Sequence, residues 1–161
     1  QFASSAASDV YKRQNIYIWD NFYASDYCEP RVTLDKYLPF TGNIPSDISG
    51  IMINATGKIN LDLFILRLYS LGFQRNDFEI SDFLSTELHP AFKSIYKYFT
   101  FNGSLVETDD CKYVNDILLN WIHPIKNEIY PYLHLLKFLM QNTGSTDSYF
   151  IKRIRLKERE S

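Results

Sequence analysis

The sequence predicts an α/β segment followed by an all-α one, on three observations. Ile16 to Trp19 is a short apolar run without polar alternation, the pattern of a strand buried on both faces of a parallel sheet. Gly50-Ile51-Met52-Ile53-Asn54 is a second run of the same kind, ending in an amide side chain. Beyond Gly72, prolines at positions 90, 124 and 131 divide the chain into short helices, and no strand-like alternation of any length appears before the tail.

At the first strand polarity arrives at once, in Asp20, Asn21, Ser25 and Asp26. Ligands of α/β folds bind beyond the carboxyl ends of parallel strands, so this switch marks a candidate site. An Asp/Asn turn that only satisfies backbone groups has the same appearance. From Phe22 to Ser49 the chain carries Pro30, Pro39, Gly42 and Pro45, which predicts a loop-rich crossover in place of the helix of an idealised βαβ unit. Long loops on the site-bearing side of such a sheet usually carry function.

After Asn54, a turn at Ala55-Thr56-Gly57 leads to Asn60 as the expected N-cap, with Asp62 in the first helical turn. Leu61 to Leu71 form a helix that is apolar nearly all round, and Gly72 is its expected stop. Such a helix must be covered on more than one side. Ser81 and Thr108 are cap candidates, and the later helices are expected over Ala91 to Phe99, Asp109 to Trp121 and Pro131 to Gln141. Their core stripes are Ile117, Leu118 and Trp121, then Leu135, Leu136 and Leu139. The tail, Tyr149 to Glu160, carries a Lys/Arg/Glu run that reads as solvated surface.

The composition is that of a globular chain: 161 residues, 45% hydrophobic, 22% charged and 16% aromatic. A net charge of −2 gives no argument for nucleic acid or an anionic membrane as partner, and no apolar run reaches the roughly 20 residues of a membrane span. Cys28 and Cys111 are read as free thiols, without metal or redox spacing. His89 and His123 each precede a proline, and His134 lies on an otherwise apolar helix. With no HExxH motif, Gly-rich phosphate loop or nucleophile elbow, neither a metal nor a cofactor is expected.

The pattern Trp19-Asp20-Asn21, Ser25-Asp26-Tyr27, Arg31 and Gly50-Ile51-Met52-Ile53-Asn54 resembles the C-terminal part of the catalytic domain of glycoside hydrolase family 84, the O-GlcNAcases and bacterial β-N-acetylglucosaminidases. The spacings from Trp19 to Asn21, Asp26 and Asn54 all match without a gap. The resemblance covers residues 15 to 57, and the helix up to Gly72 fits more loosely. It implies that residues 15–73 are the last two strands and final helix of a (β/α)8 TIM barrel, followed by a helical extension over 74–161. Asp9 to Gln14 resemble the translation of a transposase adapter used in preparing sequencing libraries, so residues 1–14 are expected to be non-native.

The implied activity is retaining hydrolysis of terminal β-linked N-acetylglucosamine, with the substrate's acetamido oxygen as nucleophile, one of the exceptions to the two-carboxylate scheme. The partner is a glycan or glycoprotein bearing that sugar. The family's two adjacent catalytic aspartates belong on an earlier strand, upstream of residue 15, so the chain alone is expected to be inactive. Asp26 and Asn54 resemble the carboxylate and amide that bind the outer hydroxyls of the sugar. A carboxylate accepting two hydroxyl protons reads stereochemistry strongly, because losing either bond leaves a charge poorly satisfied. Asn21 resembles the amide near the acetamido end, and Trp19 an aromatic wall there. The plain alternatives are a strand-end turn for Asn21 and core packing for Trp19.

Two departures from the family stand out. The loop reads Asp35-Lys36-Tyr37 where many relatives have Gly-Pro before Tyr, and Asn54-Ala55 stands where Asn-Pro is common. Asp109-Asp110 falls on the wrong side of the motif for the catalytic pair, at a predicted helix start where acidic residues suit the dipole.

Overall fold

The computed structural model describes residues 16–24, 29–37, 48–74, 77–101 and 104–142. Strand β1 (Ile16–Asp20) pairs in parallel with β2 (Ile48–Ile53) in a two-stranded sheet. The register sets Tyr17 against Gly50, Trp19 against Met52 and Asp20 against Ile53. Asn54 N donates to Asp20 O at 2.9 Å and carries the pairing one residue past β2. Gly50 serves the pairing directly, since a Cβ there would stand 3.1 Å from the Tyr17 ring.

Side chains alternate across a strand, so Tyr17, Trp19, Gly50 and Met52 share one face of the sheet. That face is open, with Tyr17 at 55%, Trp19 at 59% and Met52 at 46% exposure. The expectation of strands buried on both faces is therefore not met among the described residues. Among the described residues no element packs over this face.

Helix α1 (Ile59–Phe73) starts and ends differently from the sequence expectation. Asn60 lies inside it, and Asp62 reaches back to fix the preceding turn: Oδ1 accepts from Thr56 N at 2.8 Å and Thr56 Oγ1 at 2.7 Å, and Oδ2 from Gly57 N at 3.1 Å. Gly57 has φ +78°, a left-handed turn conformation that favours glycine. Gly72 does not stop the helix. It is buried within it, where a Cβ would meet the Tyr37 carbonyl oxygen at 2.4 Å. Absence of a side chain at 72 thus lets residues 31–37 lie against α1.

Leu61, Phe64, Ile65, Leu68 and Tyr69 form the buried face of α1, while Ile59, Leu63 and Leu66 are exposed. The sequence predicts cover on more than one side, and these exposed positions show an uncovered flank among the described residues.

The remaining elements are α2 (Ile80–Glu87), α3 (Phe92–Ile95) running into a 3₁₀ turn (Tyr96–Tyr98), a second 3₁₀ turn (Thr108–Asp110), α4 (Cys111–Asn120) and α5 (Pro124–Gln141). His89 and His123, each just before a proline, use Nδ1 to accept Ala91 N at 3.3 Å and Ile125 N at 3.2 Å, and so supply helix-start acceptors. Pro131 lies inside α5 and does not divide it; the residue is exposed, so the hydrogen bond it cannot make is lost at the solvent side.

Neither cap candidate stands at an N-cap position: Ser81 lies within α2, which Glu79 precedes, and Thr108 is the first residue of the 3₁₀ turn, which Glu107 precedes. Asp109 and Asp110 do stand at a helix start, but Asp110, at the N-cap position of the helix from Cys111, makes no side-chain cap bond: it is buried, accepts Tyr98 Oη at 2.7 Å and pairs with Lys97 Nζ at 2.8 Å. One apolar cluster runs from Tyr23, Leu34 and Tyr37 through Leu61 and Leu68 to Ile117, Tyr132 and Met140, so the change from α/β to all-α is not a break in the core.

Candidate functional site

The apolar run of β1 ends at Asp20 and that of β2 at Ile53, so the two parallel strands release the polar residues Asn21 and Asn54 at the same end. Asn21 Oδ1 accepts from Trp19 Nε1 at 2.8 Å and from Asn54 Nδ2 at 3.0 Å. Three of the four residues singled out in the sequence are therefore joined by hydrogen bonds. The fourth, Asp26, lies outside the described residues, as does Cys28. Cys111 is a free thiol, half-buried on α4.

Both bonds to Asn21 use its carbonyl oxygen, which fixes its amide orientation. Among the described residues the Asn21 NH₂ and the Asn54 carbonyl make no side-chain hydrogen bond, leaving donors and an acceptor beside an exposed indole. An apolar ring with directional amide groups next to it suits a neutral polar ligand whose body has an apolar face. The arrangement itself carries no acid, base or nucleophile. Among the described residues no cluster of His, Cys, Asp or Glu could hold a metal ion.

Behind this face sits Asp20, pointing to the opposite side of β1. Its Oδ1 accepts Phe22 N at 2.7 Å, closing the turn that contains Asn21, and its Oδ2 accepts the Tyr37 hydroxyl. Burial, then the bond to Asp20, hold the Tyr37 hydroxyl well above the usual tyrosine range. Tyr69 is buried next to the same carboxylate; burial, then the Asp20 charge, raise its hydroxyl too, and among the described residues that oxygen has no partner at full hydrogen-bonding geometry. The Tyr37 and Tyr69 rings lie 4.2 Å apart, and Phe22 meets Tyr37 edge-on at 5.3 Å.

Arg31 belongs to the sequence motif but does not reach this face. Its guanidinium is buried at 3% exposure, and Nη2 donates to the carbonyls of Thr100 and Phe101. Leu34 N to Phe99 O at 2.8 Å and Phe101 N to Asp35 Oδ2 at 3.0 Å strengthen the same seam. Arg31 thus ties the crossover to the helical part. In the sequence Asp20 stands out only through the polarity switch and the Trp19-Asp20-Asn21 motif, with no role of its own, and Tyr69 not at all. The one signal for Tyr37 is its place in the loop, where the resembled family also carries Tyr.

No protein-family profile, curated protein or solved structure matches this chain.

Proposed function

We propose that this chain is the C-terminal part of the catalytic domain of a family 84 glycoside hydrolase, a retaining β-N-acetylglucosaminidase, with residues 15–73 as the last two strands and final helix of its (β/α)8 barrel. One observation carries the reading. Trp19 and Asn21 on one strand end and Asn54 on the next are joined through a single carbonyl oxygen, at the carboxyl ends of parallel strands. Those are the residues that the motif assigns to the sugar, and an exposed indole beside two oriented amides suits a sugar's apolar ring face and its acetamido or hydroxyl groups.

In this reading the chain binds and orients, and the chemistry belongs to an adjacent aspartate pair on an earlier strand. The substrate's acetamido oxygen attacks the anomeric carbon as the glycosidic bond breaks, one aspartate holding the acetamido group and the other moving the proton. Asn21 and Trp19 bound the acetamido end, and Asp26 and Asn54 bind the outer hydroxyls.

The test is a titration of the ¹⁵N-labelled chain with N-acetylglucosamine and, separately, glucose. The Trp19 indole N–H and the Asn21 and Asn54 side-chain amides are expected to move with the first sugar far more than with the second. No response, or equal responses, would count against the reading. A second reading, a non-catalytic sugar-binding or helical interaction module, is favoured by the exposed Ile59, Leu63 and Leu66 on α1.

A further inference from the structure

Asp20 joins the open face of the sheet to the core. Its backbone carbonyl accepts Asn54 N at 2.9 Å, and its carboxylate accepts Phe22 N at 2.7 Å on the far side of Asn21. Both strand-end amides are therefore anchored to one residue. That carboxylate is in turn held by the Tyr37 hydroxyl. Tyr37 has little freedom: it is buried, its carbonyl is seated over Gly72, and the rings of Phe22, Tyr69 and Phe73 surround it at 5.3, 4.2 and 5.5 Å.

We propose that Tyr37 and Asp20 are positioning residues, a clamp of a buried hydroxyl on a half-buried carboxylate that sets the orientation of Asn21, and through it of Trp19 and Asn54, on the ligand face. A half-buried carboxylate is held in one orientation by its hydrogen bonds, and a bond to a charged oxygen is among the stronger ones. Withdrawing the Tyr37 hydroxyl leaves Oδ2 without that donor, and the Phe22 turn loses the support that fixes Asn21 between its two partners. Tyr69 is buried beside the same carboxylate, but among the described residues its hydroxyl has no partner at full hydrogen-bonding geometry. The inference rests on the proposed function only for the identity of the ligand.

The experiment compares Tyr37→Phe and Asp20→Asn with Tyr132→Phe. Tyr132 donates to the Tyr98 carbonyl in the helical part, so its loss weakens the fold away from the sheet. In both clamp variants the Trp19 indole N–H and the Asn21 and Asn54 amide resonances should shift and the indole proton exchange faster. Binding of N-acetylglucosamine should weaken roughly tenfold, the effect of one hydrogen bond to a charged group. Tyr132→Phe should lower the melting temperature and leave those resonances in place.

Unchanged resonances in both clamp variants overturn the clamp, whatever the sugar does. If they move in the variants while the wild-type chain ignores the sugar, the clamp stands and the glycosidase reading falls.

Discussion

Glu128 on α5 closes the N-terminus of α1 from across the core: Oε1 accepts Asn60 N at 3.1 Å and Asn60 Nδ2 at 2.7 Å, and Oε2 accepts Leu61 N at 2.7 Å. A helix start has free N–H groups and a positive dipole end, and here a carboxylate from another helix satisfies both. The contact also fastens the α/β part to the helical part. Glu128→Ala should cost about 1.5–3 kcal/mol, the range for hydrogen bonds to a charged group. Denaturant melts of the two proteins at neutral pH check this.

The same carboxylate has a pH signature. Burial disfavours its charge, but the bonds from the Asn60 side chain and from the Asn60 and Leu61 backbone, with Lys58 nearby, outweigh that and lower its pKa. A depressed folded pKa gives stability that is present above the unfolded value of ~4.3 and lost as pH falls through the folded one. Glu128→Gln should therefore flatten part of the acid limb of stability against pH. An acid limb identical to wild type would contradict the assignment.

At alkaline pH the sign reverses. Burial raises the Tyr23, Tyr37 and Tyr98 hydroxyls, with Asp20 adding to the effect at Tyr37 and Asp110 at Tyr98. Their protonated state contributes stability that is complete below the unfolded value of ~10 and lost as pH rises towards the folded values. Phenolate absorbance should show some of the 12 tyrosines ionising only as the chain unfolds. Smooth ionisation of all of them in the folded state would contradict this.

Gly72→Ala sets two effects against each other. Alanine is favoured over glycine in a helix by about 1 kcal/mol. Its Cβ, however, would meet the Tyr37 carbonyl at 2.4 Å, and backbone on both sides resists moving. Overpacking of about 1–3 kcal/mol should win, giving net destabilisation and increased proteolysis around residues 31–37. A more stable variant would show that the crossover does not lie against α1.

Asp109 and Asp110 should part company. Asp110 is buried between Tyr98 and Lys97, and Asp109 is exposed. Asp110→Ala takes the acceptor from the buried Tyr98 hydroxyl and one of the two carboxylates from Lys97, which keeps Glu107 at 2.9 Å, and should cost about 1–3 kcal/mol, whereas Asp109→Ala should stay within about 0.5 kcal/mol. Thermal melts of the two variants distinguish them.

What the sequence made legible followed periodicity. Ile16 to Trp19 and Gly50 to Ile53 fall on the two strands, and the stripe Leu135, Leu136, Leu139 is buried on α5. Positions set by long-range contact were not legible. Gly72 looks like a stop because nothing near it in sequence announces the Tyr37 carbonyl. Pro131 looks like a boundary because solvent exposure, which makes it tolerable inside α5, is a tertiary property. At the site, spacing found Trp19, Asn21 and Asn54, but Asp20 and Tyr69 are recognisable only once α1 is folded against the end of β1. Glu128 caps a helix that starts 69 residues before it, beyond the reach of any local capping pattern.

Recovering the coding DNA upstream of the Asn15 codon and translating it in frame tests the family 84 assignment. An apolar strand ending in adjacent aspartates is expected, within a polypeptide that hydrolyses an aryl N-acetyl-β-glucosaminide and loses that activity on Asn54→Ala. A continuous frame without the aspartate pair would contradict the glycosidase assignment.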